Sequence, residues 1–263
     1  MTVYTLGPAG TFSHELAIRL YGDDVTLLST ISGIFAEVEK GDGIGVIPLE
    51  NSEAGGVGAT LDGLRRSRVS IIAEAYREIH HHLAGFEPVD RIERIYAHPQ
   101  PHEQCSEFLD RLDREIVHTS SNAASACEMQ KFPHSGAVVS RMIADLYHLP
   151  LLCEHIENNP DNVTRFIVIS ARQEDPRGAA KCSILIDPEI DRAGLLHEIL
   201  GVFACRGINL TRIESRPSKR GMGSYVFFID LVYSPGWKDA VLELERMTQV
   251  RQLGCYPCLE VPG

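Results

Sequence analysis

The sequence predicts an α/β protein built of two parts, and three observations lead to that prediction. Short β-branched runs alternate with amphipathic helical patterns through the first two thirds of its 263 residues, as in a sheet covered by helices. The segment Arg172–Ala180 is polar and contains Pro and Gly, which is typical of a linker. After it the pattern restarts as strand, helix, strand, strand, helix, strand, the order of a ferredoxin-like domain.

The first part alternates strands with helices. Strands are predicted at Val3–Leu6, Val25–Leu28, Ile44–Ile47, Val69–Ala73, Ile95–Ala97, Ile116–His118, Ala137–Val139 and Phe166–Ile169. Helices are predicted at Ile34–Glu39, Gln104–Leu112, Ala123–Gln130 and Met142–Leu146. Ser32 and Asn122 are expected to cap two of them. This alternation predicts a mostly parallel sheet, whose ligands bind beyond the carboxyl ends of the strands.

The second part is shorter and carries the ferredoxin-like order. Its strands are predicted at Cys182–Ile186, Ile208–Ile213, Ser224–Leu231 and Val250–Leu253, and its helices at Gly194–Ala204 and Lys238–Met247.

Composition excludes several classes of protein. A net charge of −11 argues against a nucleic-acid partner, because phosphate binding needs clustered Lys and Arg. The start has no basic segment followed by an apolar one, and no stretch approaches the roughly 20 apolar residues of a membrane helix. The seven Cys are scattered and mostly flanked by apolar residues, so we expect reduced, buried thiols in a cytoplasmic protein without a membrane partner.

Two Gly-rich turns follow predicted strands. Gly7–Ser13 precedes a helix, so its backbone N–H groups could hold an anion, although an ordinary β–α turn explains the same residues. Pro48–Gly56 brings a carboxylate, an amide and a hydroxyl together. A capped helix start, with Asn51 or Ser52 as the cap, explains that segment equally well.

Two further polar segments follow strands in the same way. His98–Cys105 contains Gln104, whose amide could face a ligand, and we expect the next helix to start near Glu103. Pro99 and Pro101 are expected to exclude a helix there, which argues against His98 and His102 sharing a metal ion. Thr119–Asn122 is a hydroxyl-rich helix start suited to a carboxylate.

Asn162–Phe166 enters a strongly apolar strand. An Arg beside a Thr at a strand start can form a bidentate pair with a carboxylate, whereas the plainer alternative is a surface Arg paired with a nearby Glu.

Together these segments resemble the prephenate dehydratase family. The residues that match are Gly-Pro-x-Gly-Thr-Phe-Ser, Pro-Leu-Glu-Asn-Ser-x-x-Gly, His-Pro-Gln-x-x-x-Gln-Cys and Thr-Arg-Phe, from about Tyr4 to Ile169. The second part resembles an ACT domain through Gly194-Leu195-Leu196 and the run from Gly207 to Pro217. The resemblance implies a two-lobed, periplasmic-binding-protein-like catalytic domain at 1–172 and an ACT domain at 181–263. The chain would cross between lobes near residues 75–83 and return near 157–162.

The same resemblance implies the function and its residues. The expected reaction converts prephenate to phenylpyruvate, with no cofactor and no metal, under feedback regulation by L-phenylalanine in a monofunctional homodimer or homotetramer. The implied catalytic residues are Thr164, Arg165, Asn51 and Glu50. The implied substrate-binding residues are Thr11, Ser13, Ser52, Gly55, Gln104, Ser120, Ser121 and Phe166. The implied phenylalanine site contains Gly194, Leu195, Leu196, Asn209, Leu210, Glu214 and Ser215.

Within that scheme, Thr164 would donate to the leaving hydroxyl group. Arg165 would either assist that proton or bind a substrate carboxylate, and Glu50 could be the acid only if its pKa were raised. Two departures from the family pattern are Ala97, where a Ser is common, and Ala193–Leu196, where Leu195 is larger than usual. Arogenate dehydratase and a non-catalytic two-lobed ligand sensor are the alternatives.

Two other clusters are not expected to bind metal or act in redox chemistry. His80–His82 are consecutive, and neighbouring residues of a strand point to opposite faces, so the three cannot share a site. Cys255–Cys258 has the spacing of a redox motif but lies at the chain end, where a loose tail or an incidental pair of cysteines is the simpler interpretation.

Overall fold

The computed structural model describes residues 1–173, 178–190, 192–220 and 223–262. Part of the predicted linker, residues 174–177, lies outside the described residues. The described strands form sheets of six, five and four strands. The chain builds a first lobe, crosses to a second lobe, returns to the first, and then forms a C-terminal domain.

The first lobe begins with alternating strands and helices. These are β1 (Thr2–Leu6), α1 (Phe12–Tyr21), β2 (Val25–Leu28), α2 (Ile31–Glu39), β3 (Gly43–Asn51), β4 (Gly55–Gly56), α3 (Gly58–Arg66) and β5 (Ser70–Glu78). The predicted strands are present, and α3 and β4 are additional to the predicted elements.

The second lobe follows a short crossing after Glu78. It contains β6 (His82–Gly85), a 3-10 turn (Val89–Arg91), β7 (Arg94–Ala97), α4 (Pro99–Gln104), α5 (Ser106–Leu112), β8 (Glu115–His118), α6 (Asn122–Met129), β9 (Ser135–Val139), α7 (Arg141–Leu146) and β10 (Leu151–Cys153). Its sheet has the order β10-β6-β9-β7-β8.

The chain returns to the first lobe as β11 (Val163–Ser170), between β3 and β5 in the order β2-β1-β3-β11-β5. β11 runs antiparallel to both neighbours, while β1 runs parallel to β2 and β3. In the second lobe β7 is parallel to β8 and β9, but β6 is antiparallel to β9. The prediction of a mostly parallel sheet is therefore wrong, because β11 arrives from the other lobe and not through a helical crossover.

The C-terminal domain has the predicted ferredoxin-like order. Its elements are β12 (Lys181–Ile186), α8 (Leu195–Ala204), β13 (Leu210–Pro217), β14 (Tyr225–Val232), α9 (Trp237–Leu244) and β15 (Val250–Tyr256), with the sheet order β13-β14-β12-β15. One face of the sheet packs on α8 and α9. The other face joins the core of the first lobe, since Leu185, Phe228 and Leu253 share one apolar cluster with Ile47 and Leu61.

β15 lies directly against β5 of the first lobe. Gly254 has a φ of 139°, and a Cβ atom there would lie 2.2 Å from the carbonyl oxygen of Ile71, so the contact requires glycine. The chain end continues along β5, where the backbone of Glu74 bonds Pro257 and Leu259. The two domains therefore share backbone contacts as well as a core.

Several helix starts differ from the predicted ones. Thr30 caps α2 and Ser121 caps α6, in place of Ser32 and Asn122. The expectation that Pro99 and Pro101 exclude a helix is wrong, because α4 starts at Pro99, and the next helix begins at Ser106 and not near Glu103. Proline is tolerated in the first turn, where its missing N–H has no helical partner.

The cysteines are not all reduced and buried. Cys182 on β12 and Cys255 on β15 face each other and form a disulfide. Of the five free thiols, Cys105 is buried, whereas Cys205 and Cys258 are exposed. The segment beginning at Cys255 is not a loose tail, because it completes β15 and the next residue, Tyr256, is fully buried.

Candidate active site

Thr164 lies near the start of β11, between two strands of the first lobe. The β-sheet register places it opposite Asn51 of β3 and Arg77 of β5. Residues directly opposite in an antiparallel pair project from the same face of a sheet. Thr164, Asn51 and Arg77 therefore share one face, which packs on α1 through the cluster that contains Phe166 and Leu16.

Asn51 fixes the direction of the Thr164 hydroxyl group. Its Oδ1 accepts hydrogen bonds from the backbone N–H groups of Glu53 (3.1 Å) and Ala54 (3.0 Å). The Nδ2 group must therefore face the other way, where it donates to Asn162 Oδ1 at 2.6 Å and to Thr164 Oγ1 at 3.0 Å. Because Thr164 Oγ1 accepts from Asn51, its own proton is free to donate to another group.

The neighbours of Asn51 support this arrangement. The buried side chain of Asn162 donates to Glu53 Oε2 at 3.1 Å. Ser52 and Val163 exchange two hydrogen bonds, since Ser52 N donates to Val163 O and Val163 N donates to Ser52 Oγ. Gly55, with a φ of 74° and open space around it, continues the turn into β4. Asn51, Ser52 and Thr164 are thus brought together as the motifs imply.

Arg77 is a residue that the sequence motifs did not indicate. One of its terminal nitrogens donates to Glu15 of α1 at 2.7 Å, and its Nε is buried with no hydrogen-bond partner in the structure. It is a cation on the face of Thr164. Only the register of β5 against β11, a pairing of residues far apart in the chain, shows this.

Arg165 and Glu50 lie on the opposite face of the same sheet. Arg165 is buried and donates to Glu74 (2.7 Å), Glu50 (2.9 Å), Asp230 (2.5 Å) and Tyr256 (3.0 Å). Burial disfavours its charge, but the adjacent carboxylates, Asp230 foremost, outweigh that effect and raise the pKa of Arg165. The side chain of Arg165 therefore lies among these carboxylates and not on the face of Thr164, because successive strand residues point to opposite faces.

Each oxygen of the Glu50 carboxylate has an arginine as its partner. Its Oε1 accepts from Arg165 and its Oε2 accepts from Arg212 Nε at 2.6 Å. Lys181 adds a further cation by donating to Glu74 Oε2 at 2.9 Å. Three carboxylates, Glu50, Glu74 and Asp230, thus face three cations, Arg165, Lys181 and Arg212, at the boundary between the domains. Glu50 is committed to this boundary and does not face Asn51's side of the sheet.

Phe166 and Ala97 are part of apolar cores. Phe166 is 2% exposed and packs among Val3, Leu16 and Val168, so it forms the floor beneath the site and not a contact surface for a ligand. Ala97 is fully buried in an apolar cluster of the second lobe. A methyl group at this position fits surroundings that offer apolar contacts.

The loop before α1 connects the lobes. Thr11 caps α1 by accepting from His14 N, and its hydroxyl donates to Leu6 O at 2.8 Å. Gly10, with a φ of 88°, lies so close to Ile143 of α7 that a Cβ atom would approach it to 2.6 Å. Ser13 is buried in the first turn of α1. The predicted anion-binding turn therefore lies where the two lobes meet.

The second lobe contributes Gln104 at the end of α4. Its Oε1 lies 3.0 Å from His81 Nε2, and burial lowers the pKa of His81. A neutral imidazole with its proton on Nε2 satisfies that contact. Ser121 caps α6, since its hydroxyl group accepts from the backbone N–H of Ala124. The Thr119 hydroxyl group likewise bonds within this segment, to the backbone carbonyl of Ser121. Ser120 is exposed.

The predicted phenylalanine-binding residues divide into separate groups. Gly194, with a φ of 84°, precedes α8, and a Cβ atom there would lie 3.9 Å from Glu198 Oε1, while Leu195, Leu196 and Leu210 belong to the core of the C-terminal domain. Asn209 and Ser215 are exposed. Glu214 pairs with Arg212 and approaches Gly56 of the first lobe.

Among the described residues, one group of three potential metal ligands lies close together, His80, His155 and Glu157 at the crossing between the lobes. None of the helices in the described part of the chain is both long and apolar enough to span a membrane.

Comparisons with known proteins agree with this architecture. Residues 3–174 match the family model described as Prephenate dehydratase, and residues 183–232 match that of the ACT domain. The bifunctional chorismate mutase/prephenate dehydratase of Pseudomonas aeruginosa is 40% identical over 268 residues, which cover 98% of this chain and 73% of that protein. The prephenate dehydratase of Methanocaldococcus jannaschii is 35% identical over 271 residues, with 98% of each chain covered.

A solved structure shows the same fold over the whole length. The prephenate dehydratase of Arthrobacter aurescens in complex with L-Phe superposes with a TM-score of 0.88 at 32% identity, covering 98% of this chain and 90% of that one. One family model matches well over half of this chain, and full-length relatives match the remainder, so the chain belongs to the prephenate dehydratase family, with an ACT domain following the catalytic domain.

Proposed function

We propose that this chain catalyses the decarboxylating dehydration of prephenate to phenylpyruvate, a carbon–oxygen lyase reaction of phenylalanine biosynthesis, and that L-phenylalanine regulates it through the ACT domain. The observation that carries the mechanism is the hydrogen bond from Asn51 Nδ2 to Thr164 Oγ1. It leaves the hydroxyl proton of Thr164 available to a ligand on the face of the sheet that packs on α1.

The difficult step of the reaction is the loss of the ring hydroxyl group. Prephenate loses its ring carboxylate as carbon dioxide, and the electron pair of that C–C bond expels the ring hydroxyl group, which leaves as water after gaining a proton. The ring becomes aromatic, which supplies the driving force. The hydroxide is a poor leaving group, so the enzyme must donate a proton or a strong hydrogen bond to its oxygen.

Thr164 would supply that hydrogen bond. Its orientation is fixed before substrate arrives, because Asn51 is held by two backbone N–H groups and cannot rotate without losing them. A preorganised donor stabilises developing charge without a cost of reorientation in the transition state. A threonine hydroxyl is a weak acid, so this role is hydrogen-bond donation to the departing oxygen.

Arg77 would supply positive charge on the same face. Its unpartnered Nε and its position opposite Thr164 favour a carboxylate of the substrate as its ligand. The side-chain carboxylate is the better ligand, because firm binding of the ring carboxylate would stabilise the ground state and oppose its loss. Gln104, together with the helix starts at Thr11 and at Ser120 and Ser121, would orient the rest of the molecule.

Arg165 would link catalysis to regulation. Thr164 and Arg165 are neighbours on β11, one on the face of the candidate site and the other bonded to Asp230 and Tyr256 of the ACT domain. A change in the position of the ACT domain would therefore act on the strand that carries Thr164.

We also infer a cytoplasmic homodimer or homotetramer. The edge strand β13 leaves Ile213 and Ser215 exposed, and Tyr225 and Val232 on the adjacent β14 are exposed as well. An apolar edge of this kind favours pairing with a second copy, and the relative bound to L-Phe has the same domain order. Phenylalanine would bind near Gly194 and Ser215, at the interface between copies.

The direct test is an assay of phenylpyruvate formation by the full chain, with EDTA present, with and without L-phenylalanine. We expect turnover of prephenate in EDTA and a change in both activity and elution volume with phenylalanine. Absence of phenylpyruvate formation would refute the proposed activity. Activity that does not change when phenylalanine is added would refute the proposed regulation. Arogenate run beside prephenate separates the two substrates, and binding of prephenate without product would indicate a ligand sensor.

A further inference from the structure

The two segments that connect the lobes meet at a cluster of histidines and one carboxylate. His80 lies on the outgoing crossing, after β5, and His155 and Glu157 lie on the return, after β10. Glu157 Oε1 is 2.8 Å from His80 Nδ1 and 3.3 Å from His155 Nδ1. The rings of His80 and His155 are edge to face, with centroids 4.5 Å apart.

The spacing of these three atoms is compatible with a shared metal ion. Each residue offers one donor atom, and the three atoms lie within 4.8 Å of one another. Zinc binds histidine nitrogen and carboxylate oxygen at about 2.0–2.2 Å, which places neighbouring ligand atoms of a tetrahedron roughly 3.3 Å apart. The observed contacts of Glu157 with His80 and His155, 2.8 and 3.3 Å, require only small shifts to reach that geometry.

A second layer of hydrogen bonds aims two of the three donors, those of His80 and Glu157. The other nitrogen of His80, Nε2, lies 3.3 Å from Glu78 Oε2, and the other oxygen of Glu157, Oε2, accepts from the backbone N–H of His81 at 2.9 Å. The backbone N–H of His155 donates to His82 Nδ1 at 3.2 Å. Metal-binding histidines are usually oriented in this way, with the second ring nitrogen bonded to a carboxylate.

Burial and space also fit a bound ion. The Glu157 side chain is only 2% exposed, so a carboxylate charge is held away from water beside two imidazoles. A cavity of about 160 Å³ adjoins His80 and His155 and is lined also by Arg77, Glu78 and Ser140. It leaves room for water as the fourth ligand.

We propose that His80, His155 and Glu157 form a binding site for a divalent transition-metal ion of the zinc class, which joins the outgoing and returning segments at the hinge between the lobes. The site borders the cavity that Arg77 also lines, and its role is to hold the two crossing segments together. The same residues without a metal would be a hydrogen-bonded cluster, and the experiment distinguishes the two.

The test is titration of the tag-free, EDTA-stripped full chain with ZnCl2 by calorimetry, repeated with CoCl2 followed by visible absorption. We expect one zinc ion per chain and the intense d–d bands of tetrahedral cobalt. His155→Gln should weaken zinc affinity by at least about 100-fold, since it removes a direct ligand, and Glu78→Gln should weaken it by about 10-fold or more. Zinc should raise the Tm of the unaltered chain but not that of His155→Gln.

Two histidines provide matched controls. His134 is half exposed, has a φ of 54° close to the 52° of His155, and lies 2.9 Å from Glu87, but its contacts include no second histidine. His102 lies 3.0 Å from His118 and could form a competing pair. His134→Gln and His102→Gln should both keep the zinc site. The proposal is overturned if the unaltered chain binds no zinc, if His155→Gln binds as tightly, or if His102→Gln alone abolishes binding.

Discussion

Arg165 of β11 and Asp230 of β14 form a buried ion pair across the boundary between the catalytic and ACT domains, with 2.5 Å between Nη1 and Oδ2. Their side chains are 3% and 4% exposed. Thr164, the residue before Arg165, projects into the candidate active site. A single strand therefore presents one residue to the substrate and the next to the regulatory domain.

Replacing one partner of this pair should weaken both stability and regulation. Asp230→Asn keeps the shape but leaves the charge of Arg165 less compensated, so we expect the free energy of unfolding to fall by about 3 kcal/mol. The effect of phenylalanine on activity should shrink, because the link to β11 is weakened.

Asp187→Asn is the matched control, since the pair of Asp187 with Arg65 also joins the domains but is 20–25% exposed. Its loss should cost less than about 1 kcal/mol. Equal losses in urea unfolding of the two variants would contradict this account.

Thr164→Ala removes the proposed hydrogen-bond donor. We expect kcat for phenylpyruvate formation to fall by roughly 100-fold or more, the range for removing one preorganised hydrogen-bond donor. Thr164→Ser keeps the hydroxyl group and should retain most of the activity, while both variants fold. A kcat for the alanine variant within a few-fold of the unaltered chain would remove Thr164 from the mechanism.

Asn51→Asp tests the direction of that hydroxyl group. The new carboxylate accepts where Nδ2 donated, so the proton of Thr164 turns towards it and away from the substrate, and kcat should fall roughly 100-fold. Asn158→Asp is a matched control, because Asn158 likewise donates to a hydroxyl group, that of Ser106, and accepts from a backbone N–H. Both variants should lose similar stability by thermal unfolding. A similar loss of kcat in both would mean that the effect is structural.

Part of this site could be predicted from the sequence, and part depended on distant pairings. The motifs identified Thr164, Asn51 and Ser52, and the order of elements identified the ACT domain. Alternation along a strand already implies that Thr164 and Arg165 face opposite sides. It does not say which face meets the other domain, because that depends on the packing of β12, β14 and β15.

Contacts between distant segments explain why the sequence does not indicate Arg77 or the surroundings of His80. Arg77 faces the site only because β5 pairs with β11, residues more than 80 positions apart. Consecutive strand residues diverge, so the sequence predicts no site shared by His80, His81 and His82, yet His80 has His155 and Glu157 of the returning segment as partners. No local pattern relates residues on two separate crossings between lobes.

Arg77→Gln should impair substrate binding. Loss of a charge-assisted hydrogen bond, worth about 1.5–3 kcal/mol, corresponds to a decrease in kcat/KM of roughly 10- to 100-fold. Arg94→Gln is the control, because Arg94 pairs with Glu115 at 3.4 Å on the exposed surface of the second lobe. Steady-state kinetics with prephenate measure both variants. If Arg77→Gln matches the control, the substrate carboxylate is held elsewhere.

Tyr256 should make the domain boundary sensitive to alkaline pH. Its hydroxyl group accepts from Arg165 at 3.0 Å, and burial, reinforced by Asp230, raises its pKa well above the usual value. Below about pH 10 the phenol is protonated in both the folded and unfolded states, so its full contribution to stability is present. Above that pH the unfolded chain releases the proton and the folded chain keeps it, so stability falls by up to about 1.4 kcal/mol per pH unit.

The Tyr256→Phe variant tests this, because phenylalanine has no proton to release. Its free energy of unfolding should be lower than that of the unaltered chain at pH 8, where hydrogen bonds are lost, but should decline less steeply between pH 9.5 and 11. Parallel curves for the two proteins would show that the phenol ionises alike in both states and that the buried cluster does not hold its proton.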